Sequence, residues 1–433
     1  MSRGLPAWSV RALPLSALGL LAVFFWLMVG DLGIAIRDRA ALPTGLEFLR
    51  RHGASDTTTS LLLSTIPALL SVVLVPFVGY HSDRHRGRWG RRRPFLLAAA
   101  PVGAAAMIGL AFSPWMGQWT DAALGTLSPG LSVCNLAFFC LFWTLFECAS
   151  ITTGALFAGQ VNDVVPTAFL GRFYAVIRVV SLSVGIGFNT WIFALTDHYL
   201  FEILIAIGLL FSIPVVLMCL MLREPPRLDP PLGGRSRSLL VPRAHVLECF
   251  QQRAMLWTFA AFMCAGVTFS PFNTFCQYYA QVSGISKAAL GTMTATGYAV
   301  SIASAIGIGW LVDRFGAVRI STLLMGTYLV AAGCGYLWVQ DAVTFRLFFL
   351  AHVILSGAYF TAAASMPMAL FPSERFVQFN STKDLMVACA GILVSSVQGP
   401  LLDVSGHDYR LTLLSGAVFA VLCVACLVRV RSR

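Results

Sequence analysis

The sequence predicts an all-α membrane protein: twelve transmembrane helices in two pseudo-symmetric six-helix bundles. Three observations carry this. The 433 residues are 58% hydrophobic and only 11% charged, too apolar for a soluble domain of that length. Apolar runs recur twelve times, most of them close to the roughly 20 residues that a helix needs to cross a hydrocarbon core. A G-x-x-x-D-R signature after the second run, Gly79 to Arg84, returns after the eighth as Gly309 to Arg314, and a repeat at equivalent places implies two related bundles.

The first predicted span, 14–37, follows Arg3 and Arg11 in the charge order of a secretory signal. It is longer than a signal's apolar stretch and lacks a small-residue exit, so it reads as a retained helix. Spans two and three, 59–80 and 94–113, flank a hydrophilic connection that holds Arg84, Arg86, Arg88, Arg91, Arg92 and Arg93. Spans four to six follow at 131–155, 172–195 and 201–222. From Arg223 the pattern changes to R-E-P-P-R-L-D-P-P-L-G-G-R-S-R-S, without apolar periodicity. This predicts a linker, 223–254, between an N-terminal bundle, 1–222, and a C-terminal bundle, 255–433. The second bundle supplies spans 255–280, 288–312, 318–339, 343–368, 382–402 and 410–428.

Clustered Lys and Arg stay on the cytoplasmic side of a membrane, so the arginine-rich connection sets the orientation. With each residue given to its nearer loop, 23 of the 30 Lys and Arg fall on that side and 7 on the other. Both termini and the linker are then cytoplasmic, and the expected location is a bacterial inner (plasma) membrane. The opposite-side loop 38–58, with Arg39, Arg50 and Arg51, runs against the bias.

The net charge of +11 lies in connections between spans, which argues for a lipid bilayer and against nucleic acid as partner. The eleven cysteines sit in or beside apolar runs, so no disulfide framework is expected, and the C-x-x-C of Cys423 and Cys426 reads as small residues in a last helix. No clustered acids, H-E-x-x-H or serine beside a base provides catalytic or metal-binding chemistry. The sequence thus predicts no enzyme, no metal and no cofactor.

Val75 to Arg84 reads V-P-F-V-G-Y-H-S-D-R, and Gly90 to Phe95 reads G-R-R-R-P-F. The fourth run adds Phe142 to Ala149, F-W-T-L-F-E-C-A, then A-L-F-A from Ala155 to Ala158, with Asp163 sixteen residues after Glu147. Together with the repeated signature, these stretches resemble the major facilitator superfamily over the whole chain. Over residues 66–180 they resemble its glycoside-pentoside-hexuronide:cation symporters and the related sucrose/proton symporters. The resemblance implies secondary active transport of a small polar solute, a sugar or glycoside, coupled to a proton, with a cavity along helices one, four, seven and ten. Two positions depart from it: Ala158 stands where the sucrose symporters carry an arginine, and residues 59–78 lack the acids of the sodium-coupled branch. Proton-driven efflux of an amphiphilic compound, a non-transporting membrane sensor and an intramembrane enzyme are the alternatives.

Charges inside a span cost on the order of 2.5–3.5 kcal/mol at the helix centre, so they pair or face a cavity. Asp31, Glu147 and Arg178 are the candidates for coupling, with Glu147 paired to Arg178 across neighbouring helices. A lone His352 reads as an interhelical hydrogen-bonder. Substrate contacts are expected from Trp26, Trp143 and Tyr359 as ring platforms, and from Asn273, Gln277 and Tyr278 on helix seven, where Asn273 and Gln277 share a face and Pro271 weakens the helix. Asp83, Arg84, Arg91, Arg92, Arg93, Asp313 and Arg314 are expected to act at the cytoplasmic gate. The orientation is checked by labelling: in intact cells a cysteine at Ser236 should resist an impermeant thiol reagent and one at Gly125 should react, and the reverse pattern would overturn it.

Overall fold

The computed structural model describes residues 17–85, 87, 89–222, 249–250, 253–372 and 375–431, so nearly all of the expected 223–254 linker lies outside the described residues. Among the described residues, twelve helices are long and apolar enough to cross a membrane. They are α1 (Gly19–Arg51), α2 (Asp56–Ser82), α3 (Arg93–Leu127), α4 (Leu131–Val164), α5 (Arg172–Asp197), α6 (Leu200–Met221), α7 (Met255–Val282), α8 (Lys287–Phe315), α9 (Ala317–Trp338), α10 (Ala342–Leu370), α11 (Gln378–Val404) and α12 (Arg410–Arg431). Hydrocarbon offers backbone groups no water, so helices that satisfy their own hydrogen bonds are the form such apolar runs take.

Helix α1 departs most from the sequence expectation. It does not end at Arg37 but passes through a π turn, Arg37–Ala41, and continues to Arg51, so the predicted loop 38–58 contracts to a short turn. The charges that suggested a loop are tied down instead: Arg37 binds Asp38 and Arg39 binds Ser181. Gly53, with φ of 69°, makes the turn, and Ser55 caps α2 by accepting from the Thr58 amide. Helix α7 breaks between Thr268 and Ser270, just before Pro271, as its sequence predicts.

The described residues form two compact units. One comprises the residues up to 48 with 73–185 and 195–222. The other comprises 49–72, 186–194 and the residues from 249 onward. The first half of α2 and the π turn of α5 (Phe188–Ile192) thus pack with the C-terminal helices, although the sequence partition placed them with the N-terminal six.

The first unit's core joins Leu27, Leu96, Leu156, Val161, Val215 and Met218. Lipid is as apolar as leucine, so helix packing in a membrane relies on close approach at small residues. At Gly33 a Cβ would lie 2.5 Å from the Phe211 carbonyl oxygen of α6, and at Gly103 it would strike the Phe211 ring. In the second unit, Phe259 stacks on Phe379 beside Phe371. There a Cβ on Gly291 would strike the Asn189 carbonyl oxygen, and one on Gly399 would lie 2.8 Å from the Asp56 carbonyl oxygen. Gly33→Val should therefore cost about 1–3 kcal/mol by overpacking. Thermal unfolding should show a lower midpoint for Gly33→Val and none for Gly326→Ala, where nothing lies within 4 Å; equal midpoints would refute the packing argument.

Candidate functional site

Buried charge in the first unit gathers where α1, α4 and α5 meet. Glu147, 5% exposed on α4, accepts a hydrogen bond from an Arg37 terminal nitrogen at 2.8 Å. The other terminal nitrogen of Arg37 donates to Asp38 at 2.8 Å, so one guanidinium serves two carboxylates. Arg37 opens the π turn of α1, a helical irregularity frequent at functional sites. Two turns before Asp38, Asp31 is 5% exposed, and its Oδ2 has no hydrogen-bond partner among the described residues.

This corrects the expected pairing: Glu147 bonds to Arg37, not to Arg178. Arg178 is half-buried on α5, within electrostatic reach of Arg39. The sequence reading lost Arg37 by ending the first span at that residue and starting a loop at Asp38. The seven-residue spacing of Asp31 and Asp38, two helical turns, was the signal that α1 continues.

In the second unit, Asn273, His352 and Tyr328 form a chain of hydrogen bonds across α7, α10 and α9. His352, 1% exposed, makes contacts of 3.0 Å from Nδ1 to the Tyr328 hydroxyl and 2.9 Å from Nε2 to Asn273 Oδ1. The Asn273 oxygen can only accept, so Nε2 donates and Nδ1 accepts from Tyr328. The ring is thereby the interhelical bridge that its sequence context predicts. Asn273 is exposed, and its amide nitrogen makes no hydrogen bond among the described residues. One turn on, Gln277 is 3% exposed and its Nε2 has no partner among the described residues. Neighbouring donors of this kind suit an oxygen-rich solute.

The expected ring platforms are more enclosed than predicted. Trp143 is 1% exposed and stacks on Phe139 at 5.4 Å. Tyr359 packs on Phe269 and Phe360, and Tyr278 contacts Phe275 and Tyr409. Trp26 stays half-buried, edge-on to Phe25.

The basic connection is anchored within its own unit. Arg91 and Arg92 converge on Asp163 of α4, the latter at 2.9 Å, and Arg93 Nε donates to the Cys219 carbonyl oxygen of α6 at 2.6 Å. The Arg92 guanidinium occupies the space beside Gly159 that any Cβ would fill. Arg84 lies 3.6 Å over the Tyr80 ring. Asp313 and Arg314 are exposed at the end of α8, with Arg314 near the Trp310 ring. The Asp83 side chain lies outside the described residues, as do Arg86 and Arg88.

A family model described as MFS/sugar transport protein matches residues 51–374. Solute carrier family 45 member 3 from Macaca fascicularis and the protein of that name from Homo sapiens are each 26% identical over 368 aligned positions, covering 73% of this chain. The chain spans 64% of the length of these relatives. Among solved structures, a point mutant of the nucleoside transporter NupG superposes with a TM-score of 0.72 at 13% identity, covering 94% of this chain and 99% of that one. A bacterial homologue of the iron transporter ferroportin, inward-facing, gives 0.68 at 15% identity, covering 96% and 100%.

Removing one partner of a buried ion pair strands the other, at a cost on the order of 3 kcal/mol. Arg37→Met should therefore destabilise the protein, and adding Glu147→Met should recover much of the loss. A double-mutant cycle on unfolding midpoints should give strong coupling for Arg37 with Glu147 and near-additivity for Arg178 with Glu147; the opposite ranking would restore the pairing predicted from sequence.

Proposed function

Because the chain belongs to the MFS/sugar transport family and is a membrane transporter, we propose that it is a secondary carrier. In this reading it moves a sugar or glycoside, and a proton drives it. The observation that supports coupling most directly is the sharing of Arg37 between Glu147, 7% exposed at the side chain, and Asp38, 43% exposed. In this reading Glu147 is the acid that carries the proton, and Arg37, which touches both carboxylates, is the group whose movement accompanies the cycle. Asp31 is the second acid on the path, and Arg178 holds the α5 side of the cluster.

A proton fits better than sodium, because a desolvated sodium ion wants several oxygen ligands and residues 59–78 provide no carboxylate. The solute's hydroxyl oxygens would meet the amides of Asn273 and Gln277, and Trp26, Trp143, Tyr278 and Tyr359 remain the aromatic candidates for substrate contact. The halves 1–222 and 255–433, joined by 223–254, would alternate access, with both termini in the cytoplasm of a bacterial cell. Asp83, Arg84, Arg91 to Arg93, Asp313 and Arg314 would act at the inner gate. The similarity to solute carrier family 45 member 3 supports the branch.

A thermal-shift screen of mono- and disaccharides identifies the solute, since a ligand of the folded state raises the midpoint. With that solute in proteoliposomes, Glu147→Gln should abolish accumulation driven by a pH gradient yet keep exchange without one, because exchange never returns an empty carrier. Undiminished uphill uptake in Glu147→Gln, or a strict sodium requirement in the unmodified protein, would refute proton coupling. Accumulation restored by Glu147→Arg with Arg37→Glu would reduce the pair to a structural one.

A further inference from the structure

A second cluster of titratable groups lies within the second unit, at the membrane face opposite the arginine-rich connection, and transport chemistry as read above makes no use of it. Asp403, near the end of α11, accepts the amide hydrogens of Asp56 and Thr57 at 2.9 Å each, and the Thr57 hydroxyl as well. It supplies the negative charge that a helix start favours, from a helix remote in sequence. Asp56, 3% exposed, accepts in turn from His407 Nδ1 at 2.7 Å and from the Tyr409 hydroxyl at 3.1 Å. The backbones are in close contact here, since a Cβ on Gly399 would lie 2.7 Å from Thr57 Cα. Below this knot Ser60 donates to the Ser395 carbonyl oxygen at 2.6 Å, and Thr65 and Ser395 share a hydrogen bond at 2.7 Å.

Two features mark His407. Its φ of 64° makes it the only residue other than glycine in the left-handed region among the described residues, directly after Gly406 at 70°. Such a conformation is unfavourable for a side-chain-bearing residue and persists where surrounding contacts impose it. Its ring is also 57% exposed, so it exchanges protons with water on that face while its bonded partner is buried. Asp56, Asp403 and His407 lie close enough for one cation. All four carboxylate oxygens, however, already accept N–H or O–H groups of the protein, which leaves the cluster satisfied without an ion.

We propose that Asp56, Asp403, His407 and Tyr409 form a proton-sensitive latch that fastens the start of α2 to the end of α11, and that release of the latch frees the first turns of α2. Helix α2 is divided between the two units, residues 56–72 belonging to the second and 73–82 to the first. The latch therefore holds the N-terminal part of α2 to α11 within the second unit, while the rest of α2 belongs to the first. The inference depends neither on the solute nor on Glu147.

The groups facing Asp56 and His407 are Asp403 on α11, Tyr278 on α7, and Tyr409 with the ion-paired Asp408 and Arg410 at the start of α12. The Asp56 hydrogen bond, with the negative charges of Asp56 and Asp403, raises the His407 pKa above its usual 6.5. A group whose pKa is higher when latched strengthens the latch fully below its free value and gives that strength up as pH rises through the latched value. Closure is therefore favoured near pH 6.5 and weakens toward alkaline pH.

Hydrogen–deuterium exchange of the full chain in lipid nanodiscs tests this without any solute. Rates are normalised for the pH dependence of intrinsic exchange. Segment 56–66 should be several-fold less protected at pH 8.5 than at pH 6.5. His407→Gln, which keeps a donor but cannot titrate, should abolish that difference, whereas a merely structural histidine would leave it in place. Asp403→Asn should lower protection at both pH values while α9 stays as protected as before, with Tyr409→Phe as a milder second variant. Equal protection of the unmodified protein at the two pH values, or a pH dependence that survives His407→Gln, would overturn the proton sensitivity. Full protection of 56–66 in both Asp403→Asn and Tyr409→Phe would overturn the latch.

Discussion

Hydrocarbon is a poor solvent for charge, and this constraint orders the whole molecule. An ionised group carried inward gains from a partner of opposite charge, because a lone charge at depth costs several kcal/mol. The Arg37 guanidinium, split between Glu147 and Asp38, is the clearest consequence. It holds α1 to α4 and lets the first helix run unbroken through a charged tripeptide. The π turn at Arg37–Ala41 accompanies this arrangement, and the same irregularity recurs in α2 at Leu61–Thr65 and in α5 at Phe188–Ile192.

The same rule has an uncharged form in the second unit. His352 is fully enclosed by Phe269, Phe272 and Phe348, a setting in which an unmet ring nitrogen would be costly. Tyr328 and Asn273 meet one nitrogen each, which fixes the tautomer and, through it, the way round that the Asn273 amide faces. A residue chosen to satisfy a buried network thus also decides whether the neighbouring surface offers donors or acceptors.

Much of the architecture was legible because hydropathy is a property of runs. Twelve apolar stretches, a repeated G-x-x-x-D-R and a basic connection after the second stretch do not depend on any tertiary contact, and the twelve helices follow them. What depended on partners was not legible. The end of α1 was misplaced because Arg37, Asp38 and Arg39 look hydrophilic until Glu147 and Ser181 are seen beside them. Glu147 itself stood out as an acid in an apolar run, whereas its partner was sought on α5 because chain order is the only proximity that a sequence displays. Asp56, Asp403 and His407 lie some 350 residues apart along the chain at the extremes, and each alone reads as an ordinary residue at a helix end.

Helix α4 is 34 residues long, or about 51 Å at about 1.5 Å per residue, well beyond a hydrocarbon core of about 30 Å. Glu147 lies near its middle and Asp163 at its end, about 24 Å apart along the axis by the same rise. The helix is therefore a rod pivoted near one acid with the other at its tip. A tilt of about 10° about Glu147 would carry Asp163, with Arg91 and Arg92 attached, through about 4 Å by this length. That exceeds the reach of any hydrogen bond. A shift too small to be seen at the buried pair would be magnified at the membrane surface, and the mechanical advantage follows from nothing more than the length of an unbroken helix.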